Sequence, residues 1–111
     1  MNCIFCKISA GEIPAEHALE DEHVLVFRDV RPQAPTHFLV IPRVHVASLH
    51  ELEDVELGGR LLTAAARVAR EAGLDEGWRL IVNTREHGGQ EVDHLHLHVV
   101  GGKRLGPMLP S

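Results

Sequence analysis

The sequence has no tyrosine, one tryptophan and three phenylalanines, so aliphatic side chains must fill most of a core. Its two cysteines, Cys3 and Cys6, are too few for a disulfide framework. No run of about 18 apolar residues is present, so nothing reads as a membrane-spanning helix. The start, Met1-Asn2-Cys3-Ile4, lacks the basic segment and apolar stretch of a secretory signal. That reading leads us to expect a cytoplasmic protein, in which the cysteines are thiols or metal ligands rather than a disulfide. A basic excess is missing too. The formal net charge is -5, which argues against a broad grip on a nucleic-acid backbone. A small anionic ligand needs only a few local donors and stays compatible with that charge.

What is present is one domain's worth of chain, 111 residues with an ordinary hydrophobic fraction of 44%. Nine histidines are the compositional oddity. Residues 4–10 read as a short helical turn stopped at Gly11. Residues 16–20 and 24–29 read as strands joined at Asp21-Glu22. Two prolines make 31–35 a loop, and HFLVIP, 37–42, has strand length. Residues 54–72 form the long helix. Its apolar stripe is Leu61, Leu62, Ala65, Val68, Ala69 and Ala72, and Gly73 is its stop. Strands follow at 78–84 and 95–100, with a turn at 87–90 between them. This order predicts an α+β domain with a mainly antiparallel five-stranded sheet and one long helix on one face.

The segment from Asp93 to Val100, DHLHLHVV, carries the chemistry. Strand side chains alternate between faces, so Leu95, Leu97 and Val99 point one way. His94, His96 and His98 point the other, about 6–7 Å apart. Three readings are open from this pattern: the polar face of a half-exposed strand, a metal site, or catalysis. A single zinc ion rarely takes three alternate residues of one strand without further ligands. Imidazole titrates near neutrality and serves as nucleophile and as proton carrier, so a row of three can divide attack, phosphate binding and proton delivery.

HLHLHVV resembles the histidine-triad signature. CIFCKI, GEIPAE, FRDVRPQAPTHFLVIP, VNT, HGGQEV and GGKRLGPML are similar to the Hint branch of that family, especially its bacterial members. The resemblance spans nearly the whole chain. It implies a homodimer whose two five-stranded sheets join edge to edge, and purine nucleoside phosphoramidates as substrates. It implies that His96 is the nucleophile and becomes nucleotidylated, that His98 contacts the phosphate and its leaving group, and that His94 supports the other two. Asp29 matches the carboxylate that holds the ribose hydroxyls, and Val30 flanks the base. Ile4, Phe5, Ile8 and Phe27 match the apolar purine sandwich. Asn83, Gly89, Gln90 and Glu91 match positions near the phosphate. His37 is read as structural, and His17, His23, His50 and His87 as surface or loop residues.

The chain departs from the mammalian pattern at Glu91, where serine stands there, at Asp93, where tyrosine stands, and near Pro107, where tryptophan stands. Cys3-x-x-Cys6 has the spacing of a chelating pair and equally suits two buried thiols. Relatives with this pair imply a structural zinc on Cys3, Cys6, His45 and His94, with no cofactor required for catalysis. The rival activity is hydrolysis of dinucleoside polyphosphates, as in the Fhit-like branch, against which the GGKRLGPML tail argues. A rival of another class is a nucleotide- or zinc-binding interaction module with weak turnover.

Overall fold

The computed structural model describes residues 3–108. Two helices, α1 (Ile4–Ser9) and α2 (Val55–Glu71), accompany five strands: β1 (His17–Glu20), β2 (Val24–Arg28), β3 (Thr36–Pro42), β4 (Trp78–Ile81) and β5 (Leu97–Gly101). The strands form one sheet in the order β1-β2-β3-β5-β4, and every pairing is antiparallel. The expected α+β architecture is therefore observed. No helix is long and apolar enough to cross a membrane, among the described residues.

Strand parity gives the sheet two different apolar faces. Val24, Val26, Phe38, Val40, Leu97 and Val99 pack with Leu57, Leu61, Ala65, Val68 and Ala69 of α2. Leu25, Phe27, Leu39 and Ile41 pack with Phe5 and Ile8 of α1. A short amphipathic helix thus covers one corner of the face opposite α2, and the rest of that face stays available for a site.

Asp54 caps α2, its carboxylate accepting the Leu57 N–H at 3.1 Å. The helix ends in a Schellman motif: Gly73 N–H donates to Arg70 O and Leu74 N–H to Ala69 O. Gly73 sits at φ +77°, where a Cβ is strained, and Leu74 is buried as the motif's apolar clasp. Two members of the expected stripe, Leu62 and Ala72, are exposed, and Leu57 is buried instead. Leu62 lies one residue beyond the buried Leu61, about 100° round the helix, and so faces outward.

Strand ends shift from expectation by one to three residues, most at β4, which stops at Ile81 rather than Thr84, and at β5, which begins at Leu97 rather than Leu95; β2 stops at Arg28 rather than Asp29. The lead-in to β5 is held by a different partner. Leu95 N–H donates to Val46 O at 2.7 Å, a loop carbonyl beyond the end of β3. The segment stays anchored without being a ladder, and Leu95, Leu97 and Val99 still share the α2 face.

Candidate active site

The site grows from the sheet register. Leu39 pairs with His98, which pairs with Ile81, and His37 pairs with Val100, which pairs with Arg79. Phe27 lies across from Leu39. On the face away from α2, this places His37 and His98 on neighbouring strands, diagonal to one another, between the α1 cluster and β4.

His96 is buried, and its Nδ1–H donates to the carbonyl of His94 at 2.7 Å. A carbonyl accepts only, so the neutral ring carries its proton on Nδ1 and leaves a lone pair on Nε2. Phe5 meets this ring edge-on, with centroids 5.1 Å apart, and the His98 ring lies at the same separation.

His98 is set by a second relay. Gln33 N–H donates to His37 Nδ1 at 3.0 Å, so neutral His37 carries its proton on Nε2. That Nε2–H reaches His98 Nδ1 at 2.9 Å, and neutral His98 in turn presents N–H from Nε2. Asp29 Oδ2 lies 3.4 Å from His37 Nε2, while Asp29 Oδ1 accepts the Arg31 N–H. Burial pushes His98 down to about 4, reinforced by His96 and His37 and opposed by Asp29. Burial also lowers His37, against the pull of Asp29. His37, read from sequence as a structural strand residue, thus lies against the triad and orients it. Its parity with Leu39 and Ile41 was visible in THFLVIP, but the pairing with β5 that brings it to His98 was not.

His94 behaves differently from its neighbours. It is fully buried, and its Nε2–H donates to Pro42 O at 2.9 Å. Its Nδ1 lone pair faces Cys3 Sγ at 3.3 Å and Cys6 Sγ at 3.5 Å. Cys6 Sγ also lies 3.4 Å from His45 Nδ1. The four donor atoms lie within 4.8 Å of one another. Zn–S bonds of about 2.3 Å and Zn–N bonds of about 2.0–2.1 Å give S···N edges of roughly 3.6 Å in a tetrahedron. The observed S···N separations match that edge, and His94 shows the nitrogen a metal needs. His94 therefore touches His96 through its carbonyl, and its ring belongs to the cysteine cluster.

The remaining residues divide. Phe5, Ile8 and Phe27 are buried together, with Phe5 and Phe27 rings 5.7 Å apart. Ile4 and Val30 are exposed, Val30 by 89%. Asn83 lines a cavity of about 280 Å³ beside His98. Gly89, at φ +76°, closes the turn after Glu86–Gly88, and Glu91 is exposed. The Gln90 side chain spans the loop. Its amide donates to Ala47 O and Val92 O, and its oxygen accepts the Arg85 N–H. Those bonds make Gln90 the brace of the loop, a role its position in HGGQEV did not reveal.

A family model described as HIT domain matches residues 10–105. The chain belongs to the HIT domain family. Among its HIT relatives, the purine nucleoside phosphoramidase of Escherichia coli strain K12 is 47% identical over 109 residues, 96% of this chain and 92% of that protein. The HIT family hydrolase of Legionella pneumophila Philadelphia 1 superposes with TM-score 0.92 at 48% identity, covering 95% of this chain and 96% of the other. A histidine triad protein from Clostridium difficile gives TM-score 0.93 at 43% identity, covering 98% and 97%.

Proposed function

We propose that this protein hydrolyses purine nucleoside 5'-phosphoramidates by two nucleotidyl transfers through His96. The observation that carries the reading is the tautomer of His96. Its proton is held on Nδ1 by the His94 carbonyl, so Nε2 offers a lone pair beside the N–H of His98. The Escherichia coli relative, named a purine nucleoside phosphoramidase, supports it.

In the first step Nε2 of His96 attacks the α-phosphorus, a P–Nε2 bond forms and the P–N bond of the substrate breaks. The departing nitrogen gains one proton. An anionic phosphate next to the buried His37–His98 pair opposes the shift to low pKa and draws a proton onto the pair, and His98 Nε2–H passes it on. In the second step water attacks phosphorus, the P–Nε2 bond breaks and the proton of water returns to the pair. The products are the amine and the nucleoside monophosphate. Asp29 binds the ribose hydroxyls, Phe5 and Phe27 with Ile4, Ile8 and Val30 line the purine side, and Gly89 with its neighbours Asn83, Gln90 and Glu91 frames the phosphate.

Cys3, Cys6, His45 and His94 would hold a structural zinc ion. All four ligands would be protein groups, which would leave no position for a catalytic water. Such an ion would tie α1, with Phe5, to the segment that carries His96. The working form is a homodimer joined through β4 and α2.

Quenching a single turnover in denaturant at alkaline pH, where a P–Nε2 bond survives, and weighing the protein tests the central claim. The wild type should carry one nucleoside monophosphate. His96→Ala should carry none and lose at least about 10³-fold in kcat while still binding nucleotide. Retention of more than about a tenth of kcat, a loss under about 1.4 kcal/mol, would remove His96 from the role of nucleophile.

A further inference from the structure

A backbone with positive φ belongs to glycine, because a Cβ collides there with its own chain. Among the described residues other than glycine, Arg85 alone has positive φ, at φ 58° and ψ -173°. That combination is essentially reserved for glycine, and a side chain persists in it only where the surroundings over-determine it. Arg85 opens the turn Glu86–Gly88 and so begins the loop of Gly89, Gln90 and Glu91.

The backbone of Arg85 is held on both sides. Its N–H donates to Gln90 Oε1 at 2.7 Å, and its carbonyl accepts the N–H of Gly88 at 3.2 Å and of Gln90 at 3.1 Å. A glycine would make all three bonds without strain. What a glycine lacks is the side chain. The Arg85 guanidinium donates to Glu51 Oε1, from Nε at 3.0 Å and from Nη2. Glu51 Oε2 accepts the hydroxyl of buried Ser48, whose oxygen accepts the His50 N–H at 3.1 Å and so caps the turn Leu49–Glu51. An exposed ion pair between two loose side chains is worth little. Here the carboxylate is fixed at its other oxygen and the arginine at its backbone. The pair also has company. Leu95 N–H on Val46 O and the Gln90 amide on Ala47 O join the same two segments, running in opposite directions. Glu51–Arg85 is the third tie in that series, and neither residue lies in β4 or α2.

We propose that Arg85 is a positioning residue, whose tie to Glu51 sets the loop of Gly89, Gln90 and Glu91 in its phosphate-framing shape before a ligand arrives. This rests on the reading that the loop frames the phosphate. The strained backbone is then the cost of placing a long cationic side chain where the turn itself asks for glycine. A loop set in advance need not be ordered by its ligand, so affinity rises for that ligand. The gain is confined to ligands that carry a phosphate, because a nucleoside meets α1 and Asp29 and has nothing for this loop to hold.

Calorimetry with AMP and with adenosine provides the test. The readout is the ratio of the two dissociation constants, which a purely stabilising role would leave alone. Arg85→Ala keeps the strain and cuts the tie, so it should weaken AMP at least about tenfold and adenosine less than about twofold. Arg85→Lys keeps the charge and should restore part of that loss. Arg85→Gly removes strain and tie together. It should bind AMP with an affinity between those of the wild type and Arg85→Ala, and melt above Arg85→Ala. Glu51→Gln should weaken AMP several-fold and leave adenosine alone. The double variant Glu51→Gln with Arg85→Ala should lose little beyond Arg85→Ala by itself, since both cut one tie. Additive losses, or a loss in Arg85→Ala that Glu51→Gln does not share, would mean that the guanidinium meets the phosphate directly and would overturn the positioning role. Equal weakening of AMP and adenosine across the variants would reduce the pair to a surface brace and overturn it too. A wild type that binds AMP no more tightly than adenosine would instead sink the phosphate reading of the loop, and this inference with it.

Discussion

Each imidazole near the reaction centre is told by its neighbours which nitrogen carries the proton. The carbonyl of His94 fixes His96, the carbonyl of Pro42 fixes His94, and the amide of Gln33 fixes His37 and through it His98. Main-chain groups are good for this because they do not titrate and do not rotate away. The alternation of His94, His96 and His98 was legible in the sequence, because period two is a property of any extended chain. The different employment of His94 was legible only in part. The CxxC spacing and His45 pointed to a cluster, but the turning of its ring away from His96 depends on the position of Pro42. Asp29 stands in an intermediate state, with one oxygen on the Arg31 amide and the other 3.4 Å from His37. A carboxylate has about four acceptor sites, so two ribose hydroxyls can still be served. Asp29→Asn keeps the oxygen that holds the loop and loses the charge. We expect ribonucleotide affinity to fall by about 1.5–3 kcal/mol, roughly 10–150-fold, and 2'-deoxyribonucleotide affinity much less. Titration calorimetry with both sugars checks this, and equal losses would refute the assignment to ribose.

At the scale of elements, the shorter of the two α-helices does the most for the site. α1 has six residues, too few to be stable alone. Cys3 caps it, its Sγ accepting the Cys6 N–H at 3.4 Å, and the side chains of both cysteines reach His45 and His94. Phe5 on the same helix meets both His94 and His96 edge-on. A metal on the four donors would therefore order the helix, the purine side of the pocket and the lead-in to β5 together. Elemental analysis of protein purified without a His tag or chelator should return about one zinc per chain. Cys3→Ser with Cys6→Ser should abolish it and lower the melting temperature by roughly 10 °C, the size expected for a loss of one to two kcal/mol. Turnover should persist at a reduced level, with KM raised more than kcat is lowered, because the metal stands behind Phe5 rather than at phosphorus. No zinc together with an unchanged melting temperature in the double variant would return the cysteines to ordinary packing. The helices and strands themselves were legible from periodicity and from Gly11 and Gly73. The ends of β2, β4 and β5 were not, because a strand ends where its partner does, and Leu95 finds its partner in the loop at Val46.

The whole molecule has two uncovered features that belong together. β4 closes one edge of the sheet, with Trp78 at its start partly exposed. On the outer side of α2, Val55 and Leu62 are exposed by 89% and 55%, seven residues apart and so on one helical face. An open strand edge offers unpaired N–H and C=O groups, and an apolar helix stripe beside the sheet offers area to bury. Pairing β4 with its copy about a two-fold axis satisfies both at once, since the same symmetry brings the two α2 helices side by side. The edge was legible from the short run at Trp78. The stripe was not, because Leu62 reads as core until the burial of Leu57 shows which way the helix is turned. Light scattering at micromolar concentration should report about twice the 12.3 kDa of one chain. Leu62→Asp removes two buried leucines per dimer, worth about 1.5 kcal/mol or more each, and sets two like charges near the axis. The dissociation constant should rise at least about 100-fold, and the variant should scatter as a monomer at the same concentration. The site described here lies on the opposite face of the sheet from α2, so the monomer should keep the nucleotidyl-His96 step. A wild type that scatters only as a 12.3 kDa species would leave the β4 edge and the α2 stripe without a partner of their own kind.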